Sequence, residues 1–157
     1  MTAKERVLQR ERQRGYEAAK LVQTNAPDMT GTELYAVDDR IPGFMAACAK
    51  KNMLERPVGF VCKHNDYVYR LDAPYDSATH TGTPDQLPSQ FRLKHTTDPK
   101  KARPFVSYDV SRSQYDTGDC CTHNGHVWRS GQDANTWEPG TINVKWDDLG
   151  AIEEVQG

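Results

Sequence analysis

Two stretches of the chain alternate between hydrophobic and polar positions with a period of two, the pattern of half-buried β-strands. In residues 118–129, GDCCTHNGHVWR, the alternation stops at Asn124-Gly125 and then resumes. Asn-Gly favours a type I′ hairpin turn, because both central residues of that turn need a positive φ. Residues 59–70, GFVCKHNDYVYR, have Asn-Asp at the same place, and these residues also tolerate a left-handed conformation. The pattern predicts one hairpin in each stretch.

The two stretches are copies of each other. At an offset of 59 residues, six of their twelve positions are identical: Gly59/Gly118, Cys62/Cys121, His64/His123, Asn65/Asn124, Val68/Val127 and Arg70/Arg129. Further along, a proline lies seven residues before Phe91 and another lies seven before Trp146. We infer an internal duplication. Each copy is predicted to be a hairpin, a proline-containing loop and a short third strand ending in an aromatic residue. The predicted core aromatics are Tyr69, Phe91, Trp128 and Trp146.

The amino-terminal third follows the helical period instead. Thr2 and Glu5 form a capping-box pattern, which predicts a helix over residues 3–23. An all-polar stretch at 9–14 interrupts its apolar positions, so this helix cannot fold on a core of its own. Six Lys or Arg against three Glu up to Val22 make it locally basic. Docking onto another protein is the favoured interpretation. A solvated helix remains open, and nucleic acid is less favoured because no reading motif accompanies the charge.

These patterns predict a mostly β fold with an N-terminal helical region and two tandem small antiparallel β modules. The predicted units are a helical docking region at 1–52, a first carbohydrate-binding-like module at 53–97, a connector at 98–113 and a second such module at 114–157. Within the connector, Phe105, Val106 and Tyr108 are candidates for an edge strand. Cores of fewer than roughly 40–60 residues are marginal, so each module is expected to have a thin core.

Composition narrows the class of protein. A net charge of −2 does not favour electrostatic binding to nucleic acid or to an anionic membrane surface. No apolar run approaches the roughly 20 residues of a membrane span. Residues 1–14 are rich in Lys, Arg and Glu and contain no hydrophobic core of a secretory signal, so no signal peptide is expected.

No catalytic or metal-binding constellation can be assembled from the sequence. The four cysteines are too few and too irregularly spaced for a disulfide framework and are expected to be reduced thiols: Cys48, Cys62, Cys120 and Cys121. Cys62 with His64 and Cys121 with His123 repeat a Cys-x-His pair, but zinc ligands usually come in doublets that converge. Carboxylate pairs that could suggest glycoside hydrolysis lie at turns or in the tail: Asp116/Asp119, Asp147/Asp148 and Glu153/Glu154. We therefore predict a protein that is not an enzyme and needs no metal or cofactor.

The second copy resembles the chitin-binding type-3 family. The matching elements in residues 115–149 are Tyr115, Gly118, Cys121, Asn124-Gly125, Trp128, Trp137-Glu138-Pro139 and Trp146. In that family the Trp of the Trp-Glu-Pro loop lies on the surface and stacks on polysaccharide, while the closing Trp is part of the core. The resemblance implies that Trp137 is the glycan platform and Trp146 a core residue. It makes Glu138, Pro139 and Tyr115 further glycan-binding candidates.

The first copy departs from that family pattern at the platform. The position equivalent to Trp137, nine residues before Phe91, is Gly82. Tyr75 in the longer loop and His80 are the candidates that could replace the missing aromatic. Without such a replacement, the first module is a scaffold only.

The order of segments resembles small proteins encoded near tail-fibre genes in phages and prophages of Gram-positive hosts. The segments are a basic helix, Met-Thr-Gly-Thr-Glu-Leu at 29–34 and two chitin-binding-like modules. This resemblance implies a virion protein, made in the host cytoplasm without a signal peptide. It would be attached through its N-terminal helix to tail, fibre or baseplate proteins and form a homo-oligomer in the assembly. The expected function is contact with a host cell-surface glycan. The alternative is a structural adaptor or decoration protein that uses the modules only for protein contacts.

Overall fold

The computed structural model describes residues 1–108 and 112–157, with helices at both ends of the chain and two small sheets between them. The α-helices are α1 (Ala3–Asn25), α2 (Gly31–Ala36), α3 (Phe44–Lys50) and α4 (Ile152–Gln156). Short 3₁₀ helices span Ala26–Asp28, Asp38–Arg40, Met53–Glu55, Pro84–Gln86 and Pro99–Lys101. The strands are β1 (Val61–His64), β2 (Tyr67–Leu71), β3 (Phe91–Leu93), β4 (Arg103–Pro104), β5 (Cys120–His123), β6 (His126–Ser130) and β7 (Trp146–Ala151).

The predicted helical region and two small sheets are confirmed, but "mostly β" overstates the strand content. Helix accounts for about 36% of the chain and strand for about 22%. The first sheet has the order β1-β2-β3 and is antiparallel, as predicted. The second sheet, β4-β5-β6-β7, is mixed because β4 pairs with β5 in parallel. This edge strand lies just before the predicted one, and Phe105 N–H extends the ladder by donating to Thr122 O at 2.8 Å.

The backbone confirms the duplication. Positive φ values occur at the predicted hairpin turns, Asn65-Asp66 (+50° and +67°) and Asn124-Gly125 (+48° and +80°). Each hairpin is preceded by a glycine of nearly the same conformation, with φ of +95° at Gly59 and +94° at Gly118. Both glycines donate their N–H to the end of the second strand, to Leu71 O at 2.7 Å and to Ser130 O at 2.8 Å. Each partner is again 59 residues from its counterpart.

One detail of the predicted repeat is wrong. The aromatic residue of the third strand begins that strand instead of ending it. Phe91 pairs with Leu71 and Trp146 pairs with Ser130, so both aromatics lie beside the last residue of the second strand. In this position they close the same end of their sheets.

The first sheet is packed on both faces. One face, with Cys62, Tyr69 and Phe91, packs against α3 and the following segment. The other face packs Val61 and Val68 against a cluster from the amino-terminal region: Val22, Ala26, Leu34, Tyr35 and Ile41. Residues on the two sides of the predicted boundary at 52 thus share one core.

Helix α1 has two different halves. Its predicted capping box is confirmed, with Thr2 Oγ1 accepting from Glu5 N–H at 3.1 Å. Residues 1–17 are all exposed, whereas Val22 is buried. Gln23 hydrogen-bonds to both main-chain groups of Val61, accepting from its N–H at 3.0 Å and donating to its carbonyl at 2.7 Å. The carboxyl-terminal half of α1 therefore covers the free edge of β1, and the amino-terminal half projects.

The second sheet also has two packed faces. Tyr115, Cys121 and Trp146 form one buried cluster, and Cys120 and Val127 belong to the other, which α4 covers. Three of the four predicted core aromatics are buried: Tyr69 at 3% exposure, Phe91 at 0% and Trp146 at 8%. The prediction that Trp128 is a core residue needs correction, since this residue is only partly buried and packs against the cluster of Tyr115, Cys121 and Trp146. Its indole N–H donates to His123 O at 3.1 Å, which fixes the ring there.

No helix in the described parts of the chain combines the length and apolar character that crossing a membrane requires.

Candidate functional site

Trp137 lies in the loop between β6 and β7, and half of its surface is exposed (50%). Its main chain is fixed from both sides. The Trp137 N–H donates to Asn135 Oδ1 at 3.3 Å, and its carbonyl accepts from the indole Nε1 of Trp146 at 2.9 Å. The core tryptophan thus holds the backbone of the exposed tryptophan, and the exposed indole is presented on a fixed base.

Asn135 anchors this loop, and sequence reasoning missed it. The residue is fully buried (0% exposed). Its Nδ2 donates to Ser130 Oγ at 3.1 Å and to Lys145 O at 3.3 Å. Its main chain exchanges two hydrogen bonds with Tyr115, at 2.9 and 2.7 Å. A buried polar side chain with all these partners fixes a single loop conformation. In the sequence, Asn135 looks like any polar loop residue, so only the Trp-Glu-Pro pattern two positions later pointed to this place.

A shallow cleft of about 290 Å³ opens beside the indole. Its lining combines an apolar surface with amide and hydroxyl groups: Gln132, Trp137, Thr141, Ile142, Asn143 and Val144. Ile142 is 85% exposed, so it extends the apolar surface next to the ring. This combination suits a ligand that has both an apolar face and hydroxyl groups around it.

The far side of the loop is held by a tight turn. Thr141 Oγ1 donates to Glu138 O at 2.7 Å, and Gly140 and Asn143 have positive φ of +89° and +67°. Glu138 is exposed, and its Oε1 lies 2.6 Å from His123 Nε2. Its carboxylate therefore has a protein partner on β5, and its predicted role as a glycan contact stays a prediction.

Two of the predicted glycan contacts are wrong. Tyr115 is 1% exposed, its ring stacks on His95 at a centroid distance of 3.7 Å, and its hydroxyl accepts from Val106 N–H at 3.0 Å. It belongs to the core because the connector folds back over it. Pro139 is also buried. Neither residue offers a surface to a ligand.

The first module lacks an exposed aromatic at the equivalent place. Tyr75 is buried at 8% exposure and contacts Phe91 edge to face, with ring centroids 5.8 Å apart. Its proposed role as a replacement platform is therefore wrong, because the longer loop turns this ring into the core. His80 is exposed, and its Nδ1 lies 3.1 Å from Thr79 Oγ1. A role for His80 in ligand contact stays a prediction.

The buried titratable groups near Tyr115 have structural partners. Burial lowers the pKa of His95 to about 4, and its Nε2 lies 2.7 Å from Ser113 O, so this nitrogen carries the proton of a neutral ring. Burial raises the pKa of Asp119 to about 6, although Asp119 Oδ2 accepts from Asp116 N–H at 2.8 Å. Asp116 in turn accepts from Ala134 N–H at 3.0 Å. These carboxylates stabilise turns.

Within residues 1–108 and 112–157, no three His, Cys, Asp or Glu side chains are grouped closely enough to hold a metal ion. The cysteines are free thiols, and Cys62, Cys120 and Cys121 are buried. Burial raises the pKa of each of these three thiols, so they stay protonated and unreactive at neutral pH.

The chain has no significant match among protein-family models, curated proteins or solved structures.

Proposed function

We propose that this chain is a non-catalytic binding protein in which the second β module presents Trp137 to a carbohydrate. The observation that carries the proposal is the half-exposed indole on a main chain fixed by Asn135 and Trp146. A platform that is already rigid loses little conformational entropy on binding. The side-chain amides of Gln132 and Asn143 line the adjoining cleft and are placed to bond to sugar hydroxyls.

The size of the contact sets the expected affinity. A tryptophan buries about 150–250 Å² when fully covered, so the exposed half offers roughly 100 Å² to the axial C–H groups of a pyranose. At about 25 cal/mol per Å², covering that area contributes about 2–3 kcal/mol. Single sites of this kind bind in the millimolar range, about −4 kcal/mol. Retention on a surface then requires several copies in one assembly.

We further propose that the assembly is a phage particle, with the chain attached to a tail, fibre or baseplate protein. The support is the order of segments in the sequence and the projecting basic half of α1, whose fifteen residues from Ala3 to Glu17 are all exposed. Helices this short are marginal alone in water, so a partner that covers this one would stabilise it.

Retention of soluble glycan on protein-coated beads tests the carbohydrate proposal. The protein is coupled to beads at high density and mixed with soluble, labelled chitin fragments or Gram-positive cell-wall polysaccharide. Trp137→Ala should lower retention at least about 30-fold, the equivalent of roughly 2 kcal/mol. Tyr16→Ala is the matched control, since Tyr16 is an exposed aromatic (64%) far along the chain, and it should leave retention unchanged. Equal retention by Trp137→Ala and wild type would refute the role of the indole.

A structural adaptor is the second candidate, favoured by the buried Tyr75 in the first module and by the projecting half of α1. It predicts incorporation into particles that survives Trp137→Ala but not removal of residues 2–14. The deletion should stop there, because Val22 and Gln23 belong to the core and the β1 edge. Incorporation is measured by mass spectrometry of purified particles.

A further inference from the structure

A second concave surface of the protein lies between helices α1 and α3. The carboxyl-terminal half of α1, the turn before α3 and α3 itself border an open groove of about 700 Å³, which we call the α1–α3 groove. Much of its floor is apolar and built from small or flat side chains: Ala18, Ala19, Ile41, Pro42, Ala47 and Phe60. Small residues on facing helices allow a third helix to approach closely.

The edge of the groove is strongly basic. Four cations line it, Lys20, Arg40, Lys50 and Arg56, against the single carboxylate of Asp39. None of the four forms an ion pair with another residue of the described chain. An apolar floor between unpaired cations is complementary to an apolar helix face flanked by acidic residues.

Arg56 connects the apolar floor of the groove with its basic edge. Its guanidinium lies over the Phe60 ring, 4.6 Å from the centroid, and donates to Ala47 O at 3.0 Å. The Arg56 Nε is buried and has no hydrogen-bond partner among the described residues. A carboxylate arriving from above the groove would be drawn to this fixed cation.

The same charges argue against two other occupants. The α1 helix of a second copy is itself basic, with six Lys or Arg and three Glu up to Val22, and would be repelled by the basic edge. The phosphates of nucleic acid need hydrogen-bond donors, and the apolar side chains of the groove floor do not supply them.

We infer that the α1–α3 groove binds an acidic amphipathic helix of a partner protein. This inference rests on the docking role proposed for the N-terminal region and gives the partner's chemistry. The α1 side of the groove runs from Gly15 to Gln23, which corresponds to about 12 Å of helix rise. A contact of about two helical turns of the occupant fits that length, with apolar residues at i, i+3, i+4 and i+7.

The test uses the full chain and a designed, fluorescein-labelled helical peptide of about 14 residues with a Leu stripe flanked by Glu. Fluorescence anisotropy should show saturable binding. A peptide with Lys in place of Glu, and one with Ser in place of Leu, should each bind at least about tenfold more weakly. Equal binding of all three peptides, or no binding of the acidic one, would overturn the inference.

Variants of the protein locate the contact. Lys20→Glu combined with Lys50→Glu should weaken peptide binding about tenfold. Lys100→Glu combined with Lys145→Glu, the same charge change at exposed positions outside the groove, should change it less than about twofold. Ala46→Phe fills the groove from an exposed position of α3 without altering charge and should weaken binding similarly. Circular dichroism checks the fold of each variant. Peptide binding unaffected by both the charge and the filling variants would refute the groove as the site.

Two further measurements separate this inference from the proposals above. Trp137→Ala should bind the peptide like wild type. If the acidic peptide fails but removal of residues 2–14 still abolishes incorporation into particles, docking through α1 stands and the groove is wrong. Binding of the chain to anionic phosphatidylserine vesicles that is lost in Lys20→Glu/Lys50→Glu would also overturn the inference, in favour of a membrane surface.

Discussion

Replacing Gln23 by alanine should destabilise the protein far more than a partly exposed helix residue ordinarily would. β1 is an edge strand, and the Gln23 carboxamide takes the place of a neighbouring strand by bonding to both Val61 N–H and Val61 O, at 3.0 and 2.7 Å. Val61 is fully buried (0% exposed), so both main-chain groups lose their partners in the variant. Each unsatisfied buried group costs about 1–3 kcal/mol. Water entering beside Gln23 offsets part of this, which leaves an expected loss of about 2–4 kcal/mol.

Urea unfolding followed by circular dichroism measures this loss. Thermal unfolding gives a second measure: for a chain of this size the expected fall in Tm is roughly 4–16 °C, at about 2–4 °C per kcal/mol. Gln13→Ala is the matched control, because Gln13 is exposed and, among the described residues, its side chain bonds only to Glu17, at 3.1 Å. It should cost less than about 0.5 kcal/mol. Gln23→Glu keeps an acceptor for Val61 N–H but places a carboxylate against Val61 O. It should be destabilised at neutral pH and recover partly in acid, where the protonated carboxyl can donate. A Gln23→Ala loss no larger than that of Gln13→Ala would refute the reasoning.

Three other measurements test the fold. Gly59→Ala and Gly118→Ala should each cost about 1–2 kcal/mol of stability because both positions have a positive φ. Gly59→Ala should cost more, since its Cβ would lie 2.8 Å from Pro27 Cγ, whereas the nearest atom to a Cβ at Gly118 is 3.5 Å away. Equal losses in urea unfolding would contradict this difference. Asp119→Asn should make stability fall more steeply with acidification between about pH 6 and pH 4. The pKa of Asp119 is about 6 in the folded protein against an ordinary value of 3.8, so protonation of Asp119 between pH 6 and pH 4 stabilises the folded state. Asparagine cannot be protonated and lacks this stabilisation. Parallel pH profiles of stability for the variant and wild type would contradict the raised pKa. Titration of the native protein with a thiol reagent should modify Cys48 quickly and the other three cysteines only on unfolding, and rapid reaction of all four would contradict their burial.

The hairpins and their repetition could be predicted from the sequence because local chemistry determines them. Asn-Gly and Asn-Asp favour positive φ, and the alternation on both sides of these turns marks the two strands of each hairpin. The capping box of α1 is equally local, since Thr2 and Glu5 are three residues apart. These features involve neighbours in the chain, so their patterns are visible in it.

Long-range partners could not be predicted in the same way. Gln23 hydrogen-bonds to Val61, which lies 38 positions away in the sequence. The burial of Tyr115 depends on His95, which lies twenty positions earlier, just after β3 of the first sheet. The parallel pairing of β4 with β5 likewise joins segments with no shared periodicity. The resemblance to a carbohydrate-binding family pointed to Trp137 but also made the buried residues Tyr115 and Pro139 glycan contacts. It carried no information about how the connector folds over Tyr115.

The way Asn135 is held has a practical consequence for altering this protein. Its bonds to Ser130, Lys145 and Tyr115 secure the base of the β6–β7 loop without using the side chains at the tip. The exposed position 142 can therefore be varied beside a retained Trp137, while Thr141 and Asn143, which hold the turn, are kept. The loop contains no cysteine and offers a small starting scaffold from which new ligand preferences can be selected.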